Sequence, residues 1–223
     1  MKKTPHLKAF LKQYEDLLTS EEFESFDREV TRLLGYYSEV LGAYPPGAER
    51  GRKVHELINE QEALSSHIKT SCQRGCGACC HLEVEITKDD ATILADSLAE
   101  GLSDGLGIDM AKLYQMSLRK RLDVAWEQGF IEANRCVFLG ADNACRNYYN
   151  RPTVCRKHSV ISAVDECEKK GGQPVPKLMP VAEIIMSAAV NLPNNEFGAL
   201  AKMLQQTLEE RALAKVQLSP LNI

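Results

Sequence analysis

The stretch 71–84, SCQRGCGACCHLEV, places four of the chain's eight cysteines within nine residues, at Cys72, Cys76, Cys79 and Cys80. Thiolates are soft ligands, which favour zinc, copper(I) and iron–sulfur clusters over magnesium or calcium. The pair Cys76-x2-Cys79 lets one tight turn aim two sulfurs at one metal, and Gly75 and Gly77 give the backbone the freedom for it. Arg74 alongside favours thiolate over thiol. The adjacent Cys79 and Cys80 do not easily serve one ion together, so one of them is expected to turn toward a second centre or into packing. The remaining thiols follow as Cys136-x8-Cys145-x9-Cys155-x11-Cys167. Zinc takes four ligands and a four-iron cluster about four thiolates. Eight cysteines therefore suffice for one site with spares or for two sites, and His81 or His158 can stand in for a thiolate at either.

Other readings of the same cysteines stay open at this level. Cysteine packs well as a small buried residue, and Cys167, in the polar run VDECEKKGG, is the outlier of the set. An even count permits disulfides. Positions 72, 76, 79 and 80 also fit one helical face, although Gly75 and Gly77 weaken a free helix there. Cys136 or Cys155 with His158 as base is a nucleophile arrangement of lesser weight. Cys72-x3-Cys76-x2-Cys79 is also the spacing of radical enzymes that cleave S-adenosylmethionine. Ala78 stands where those motifs usually carry an aromatic, and the chain lacks the strand–helix alternation of their barrel.

The elements that must position these thiols read as helices. Apolar residues recur at three- and four-residue steps over 6–18, 23–41 and 54–68, with Thr19 placed to cap the second helix and the Pro45–Pro46 pair breaking the chain before the third. Residues 84–86 read as a short extended segment, and Thr87 as the cap of a helix ending near Gly101. A turn-rich break, GLSDGLG, precedes an amphipathic helix over 108–130. Periodicity then fails over 135–172. Helices over 181–190 and about 195–213 follow, and the tail VQLSPLNI reads as loosely ordered. All eight cysteines lie in the two aperiodic regions, 71–84 and 135–172, whose loops are expected to meet in space. Asp89–Asp90, Asp165–Glu166 and Glu209–Glu210 read as solvated helix faces or caps, and His55 and His67 as surface or satisfied core residues.

Composition bounds the function. In 223 residues with 44% hydrophobic and 26% charged content, a core forms without cross-links. A net charge of −4 without a long basic run argues against nucleic acid and a membrane surface as partners. No apolar run is long enough to span a bilayer. The N-terminus, MKKTPHLKAFLKQYEDLL, has no signal-peptide core, so the cytoplasm is expected, where a cysteine cluster more often binds metal than forms disulfides. Phosphate-loop, nucleophile-elbow and H-E-x-x-H motifs are missing from the sequence.

The motif CQRGCGACC, followed by CVFLGADNACRNYYNRPTVCR, resembles the YkgJ-type cysteine-cluster family, a zinc- or iron-chelating domain. The pattern falls on Cys72, Cys76, Cys79 and Cys80, on Cys136 with Phe138–Leu139, on Cys145 with Tyr149, and on Arg151–Pro152 with Cys155–Arg156. It spans about 71–158 and has no place for Cys167. The resemblance implies metal chelation by these seven cysteines. A similar domain occurs in flagellin lysine N-methylases, which implies as an alternative an iron–sulfur-dependent enzyme of redox or methyl-transfer chemistry. The sequence offers no separate methyl-donor motif. A redox-active disulfide protein is a third, weaker reading. Pro152 is expected to place Cys155 at the start of a short helix whose dipole stabilises a thiolate. Arg151 and Arg156 are expected at the cofactor, offsetting thiolate charge or bonding sulfur.

The expectation is thus a mostly α fold. An N-terminal helical segment, 1–70, offers a surface for a protein partner. A cysteine-cluster domain, 71–223, is an irregular multi-helix unit built on metal-centred loops that bind zinc or an iron–sulfur cluster.

Overall fold

A computed structural model describes residues 3–102, 107–169 and 171–218; the middle of the expected break at 103–106 and the end of the tail at 219–223 lie outside them. The fold is mostly helical. Its helices are α1 (Pro5–Glu15), α2 (Ser20–Gly42), α3 (Ala48–Leu64), α4 (Lys88–Glu100), α5 (Met110–Ser117), α6 (Thr153–Lys157), α7 (Asp165–Glu168), α8 (Pro180–Val190) and α9 (Leu200–Leu218). Two three-residue strands, β1 (Glu85–Thr87) and β2 (Phe197–Ala199), pair antiparallel with Ile86 opposite Gly198. No described helix is long and apolar enough to cross a membrane.

Local chemistry starts the helices where the sequence places the signals. Thr19 accepts the N–H of Glu22 while the Glu22 carboxylate returns to the Thr19 N–H, and Thr87 and Asp90 make the same reciprocal pair on α4. These bonds satisfy helix-start donors that otherwise have no intrahelical acceptor.

Packing produces two apolar cores. In the first, Leu7, Val30, Leu34, Leu41 and Ile58 of α1–α3 close on Ile185 of α8. In the second, Ile86, Leu94, Leu113, Phe138 and Leu204 join β1, α4, α5 and α9 to the cysteine-bearing chain. A buried polar seam ties α3 to the start of α4. Arg50 grips Asp89 with Nε to Oδ2 at 2.6 Å and Nη2 to Oδ1 at 3.1 Å. His55 Nε2 lies 3.0 Å from Asp90 Oδ1. Asp89 and Asp90 are therefore interior ties of the fold. Asp90 caps as expected, and neither carboxylate is solvated.

Two helix expectations are corrected. The helix over 108–130 stops at Ser117. Asp123 takes the N–H of Ala125, Leu122 sits at φ +56° and Gly129 at φ +65°, and only a 3₁₀ turn, Val124–Gln128, follows. The stripe Met110, Tyr114, Leu118 and Leu122 stays exposed, so continued helix would gain no burial. The last helix begins at Leu200 rather than near 195. The Asn195 side chain accepts from Asp89 N at 3.0 Å and donates to Ala189 O at 2.8 Å, and residues 197–199 are drawn into β2. The aperiodic region 135–172 also contains α6 and α7, which carry Cys155 and Cys167.

Candidate metal centre

The first cysteine loop is built on two glycines in the left-handed region, Gly75 at φ +88° and Gly77 at φ +48°. A Cβ at Gly77 would lie 3.1 Å from Asn143 O and 3.2 Å from Asn143 Cβ, so the second loop packs directly on this backbone. The chain then enters a 3₁₀ turn, Ala78–His81, which holds Cys79 and Cys80. The loops are bonded to each other: Cys136 N donates to Cys80 O at 2.8 Å, and Ser71 N to Val160 O at 2.9 Å. Within the second loop, Leu139 and Cys145 form an antiparallel bridge that folds residues 136–145 back on themselves. Thr153, at the head of α6, donates both its N–H (3.0 Å) and its hydroxyl (2.8 Å) to Asp90 Oδ1, which fixes the turn presenting Cys155.

These connections bring residues 72–80 and 136–155 around one open cavity of about 210 Å³. Its walls include Cys72, Cys76, Cys79 and Cys80 from the first loop, and Cys136, Cys145 and Cys155 from the second. Leu94, Phe138 and Leu200 are among its apolar lining residues, and Asn147, Tyr148, Arg151 and His158 among its polar ones. No carboxylate is among the described residues of the lining. All eight cysteines are free thiols.

Backbone donors are aimed at several sulfurs. Val160 N donates to Cys72 Sγ at 3.4 Å. The N–H groups of Phe138 and Asn147, each two residues beyond a cysteine, bond Cys136 and Cys145 and oppose the upward shift that burial gives both thiols. Cys136 is nevertheless pushed up to about 11. Burial also raises Cys155, outweighing the helix-start effect expected there. The Cys80 thiol donates to the Cys79 sulfur, which draws Cys79 down to about 7 and pushes Cys80 up. Arg151 lowers Cys79 further and opposes the burial that raises Cys72 and Cys145, the charge-offsetting effect expected of it. Chelation deprotonates the thiols that take part, so metal binding here would release protons.

The other candidates are placed as follows. Arg156 turns away from the cavity, with Nε on Arg151 O at 3.1 Å, Nη1 on Asn59 Oδ1 at 3.2 Å and Nη2 on Tyr149 O. Its guanidinium is held by two backbone carbonyls and the Asn59 side chain, within electrostatic reach of Cys155. Arg74 is exposed and pairs with Asp142 at 3.7 Å. His158 lines the cavity, its basicity lowered by burial and then by Lys157. His81 instead stacks near Phe130, with ring centroids 5.1 Å apart. Cys167, outside the lining, sits close enough to feel Cys72, Cys79 and Cys76, although burial is the main cause of its raised thiol. Of the walls, Asn147 and Tyr148 were not singled out from the sequence, Phe138 entered only as part of the motif, and the anchor Asp90 only as a helix cap or solvated acid. Phe138 and Tyr148 flank motif cysteines, which was the available signal, whereas nothing local points from Asp90 to residue 153.

The donor set fits a thiophilic metal: seven soft sulfurs, one imidazole and no carboxylate in the described lining. Among the described residues, however, no three Cys, His, Asp or Glu side chains are drawn together tightly enough to hold one ion as they stand. Residues 71–173 match the CxxCxxCC family model. That family is described as "Putative zinc- or iron-chelating domain". The match confirms the suspected resemblance and runs on past 158, so the CxxCxxCC segment includes Cys167. No curated protein and no solved structure matches the chain. The CxxCxxCC match, joined to the seven thiols on one cavity, assigns metal binding in general terms and leaves zinc and iron both standing.

Proposed function

We propose that the protein chelates a polynuclear thiolate-bound metal centre, an iron–sulfur cluster before a lone zinc ion, with Cys72, Cys76, Cys79, Cys80, Cys136, Cys145 and Cys155 as its ligand pool. The supporting observation is that seven thiols from two segments separated by more than fifty residues of sequence face one cavity with no carboxylate in its described lining. A single tetrahedral zinc holds sulfur at about 2.3 Å, which sets its four sulfurs roughly 3.8 Å apart and leaves no room between them. The cavity, about 210 Å³, exceeds the closed space between four sulfurs on one zinc. That space and the surplus of thiols suit a centre larger than one ion. Arg151 offsets part of its negative charge, and the backbone donors to Cys72, Cys136 and Cys145 orient those sulfurs.

A second reading, an enzyme built on such a cluster, is favoured by a cavity that is open to solvent and has polar side chains in its lining, since a purely structural metal site is closed by protein ligands. The experiment is anaerobic purification followed by metal and sulfide quantification and a visible spectrum. Iron with acid-labile sulfide and broad visible absorbance supports the proposal. Colourless protein with one zinc per chain overturns the polynuclear reading.

A further inference from the structure

Arg151 has an arrangement that charge compensation alone does not require. Its guanidinium carbon lies 4.2 Å from the centre of the Tyr148 ring, so the fork is stacked on an aromatic plate. Its carbonyl is held by Arg156 Nε at 3.1 Å, and Pro152 follows, so the backbone beneath the side chain is fixed. Its Nε is buried without a partner, and none of its side-chain nitrogens reaches a hydrogen-bond acceptor among the described residues. Other interior guanidinium and ammonium groups of this protein are matched: Arg50 by Asp89, and Lys177 by Glu62 at 2.9 Å. Arg151 is a pre-positioned, unmatched fork on the wall of a cavity whose described lining has no carboxylate.

We propose that Arg151 binds the oxyanion of a small organic acid or phosphate inside the thiol-lined cavity. The proposal rests on reading that cavity as the metal centre and adds the chemistry of a second occupant. A planar guanidinium grips a carboxylate or phosphate through two parallel N–H···O bonds, and an ammonium does not reproduce that geometry. Leu94, Phe138 and Leu200 in the same lining suit a short apolar body on the same ligand. The anion would thus lie beside the sulfurs, with its apolar part turned from solvent.

The test uses wild-type protein purified anaerobically with its metal, together with Arg151→Lys and Arg151→Gln. Each is titrated calorimetrically with sodium acetate and with inorganic phosphate at matched ionic strength, and its metal content is measured. The expected result is that wild type binds at least one anion, acetate marking a carboxylate ligand and phosphate a phosphate one. Arg151→Lys is expected to keep its metal and to bind that anion about tenfold or more weakly. The proposal is overturned if wild type binds neither anion, if Arg151→Lys binds as well as wild type, or if Arg151→Lys loses its metal along with anion binding, since the guanidinium then serves the thiolates. Failure of the metal reading is separate: it shows as wild type without metal, whatever the anion isotherms give.

Discussion

Replacing Asp90 with alanine tests how the helical frame holds the cysteine loops. Asp90 is fully buried, and burial would raise its carboxyl. His55 and Thr153 outweigh that and hold it below the usual range. Oδ1 accepts from Thr153 N at 3.0 Å, from the Thr153 hydroxyl at 2.8 Å and lies 3.0 Å from His55 Nε2. Oδ2 accepts from Thr87 N at 3.3 Å and the Thr87 hydroxyl at 3.0 Å. Hydrogen bonds to a charged group contribute about 1.5–3 kcal/mol each but are not additive. Removing one partner of a buried charged network costs about 3–5 kcal/mol, the magnitude expected for Asp90→Ala. Thr153→Val, which removes only the hydroxyl, is expected to cost about 1.5–3 kcal/mol. Because Thr153 heads the turn carrying Cys155, both variants should also lower metal retained per chain, Asp90→Ala more strongly. Urea unfolding and metal analysis on the same samples measure the two effects. An Asp90→Ala loss under about 1 kcal/mol, or a fully destabilised variant with undiminished metal, would refute the coupling.

Arg50→Ala leaves the Asp89 carboxylate buried beside Gly47 N and is expected to cost about 3–5 kcal/mol by the same assay; a loss below about 1 kcal/mol contradicts it. Gly77→Ala puts a Cβ against Asn143 at a left-handed position, for a cost of about 1–2 kcal/mol from conformation alone and a measurable fall in bound metal. Unchanged stability and metal would show that the loop contact is dispensable. Asp90 also sets a pH dependence. Its folded-state pKa is lowered, so its contribution is present above the ordinary carboxyl value and is lost as pH falls through the folded one. The stability gap between wild type and Asp90→Asn should hold from about pH 7 to 5 and narrow below about pH 4; a gap that widens on acidification reverses the assigned sign.

What the sequence disclosed and what it hid divide along one physical line. Interactions closed within a few residues were legible: the capping pairs of Thr19 with Glu22 and Thr87 with Asp90, the glycine-enabled turn at 75–77 and the short helix behind Pro152. So was the meeting of the two cysteine regions, because aperiodic chain rich in one soft ligand has little other use for it. Partners far along the chain were not legible. Asp89 and Asp90 looked like solvated helix-start acids because Arg50 and His55 lie more than thirty residues earlier. Arg156 sat in a motif beside cysteines, yet its backbone acceptors, Tyr149 O and Arg151 O, appear only when the chain has folded. The pattern over 108–130 promised a longer helix, and Leu113 and Met116 are buried as it requires, but periodicity does not reveal that Leu118 and Leu122 find no surface to cover them.

The most direct measurement is X-ray absorption at the metal edge of the anaerobically purified protein. The account predicts a sulfur-dominated coordination shell near 2.3 Å with metal–metal scattering beyond it, weakened in Cys79→Ser and Cys145→Ser. A shell of oxygen and nitrogen, or a spectrum indifferent to those substitutions, would contradict it.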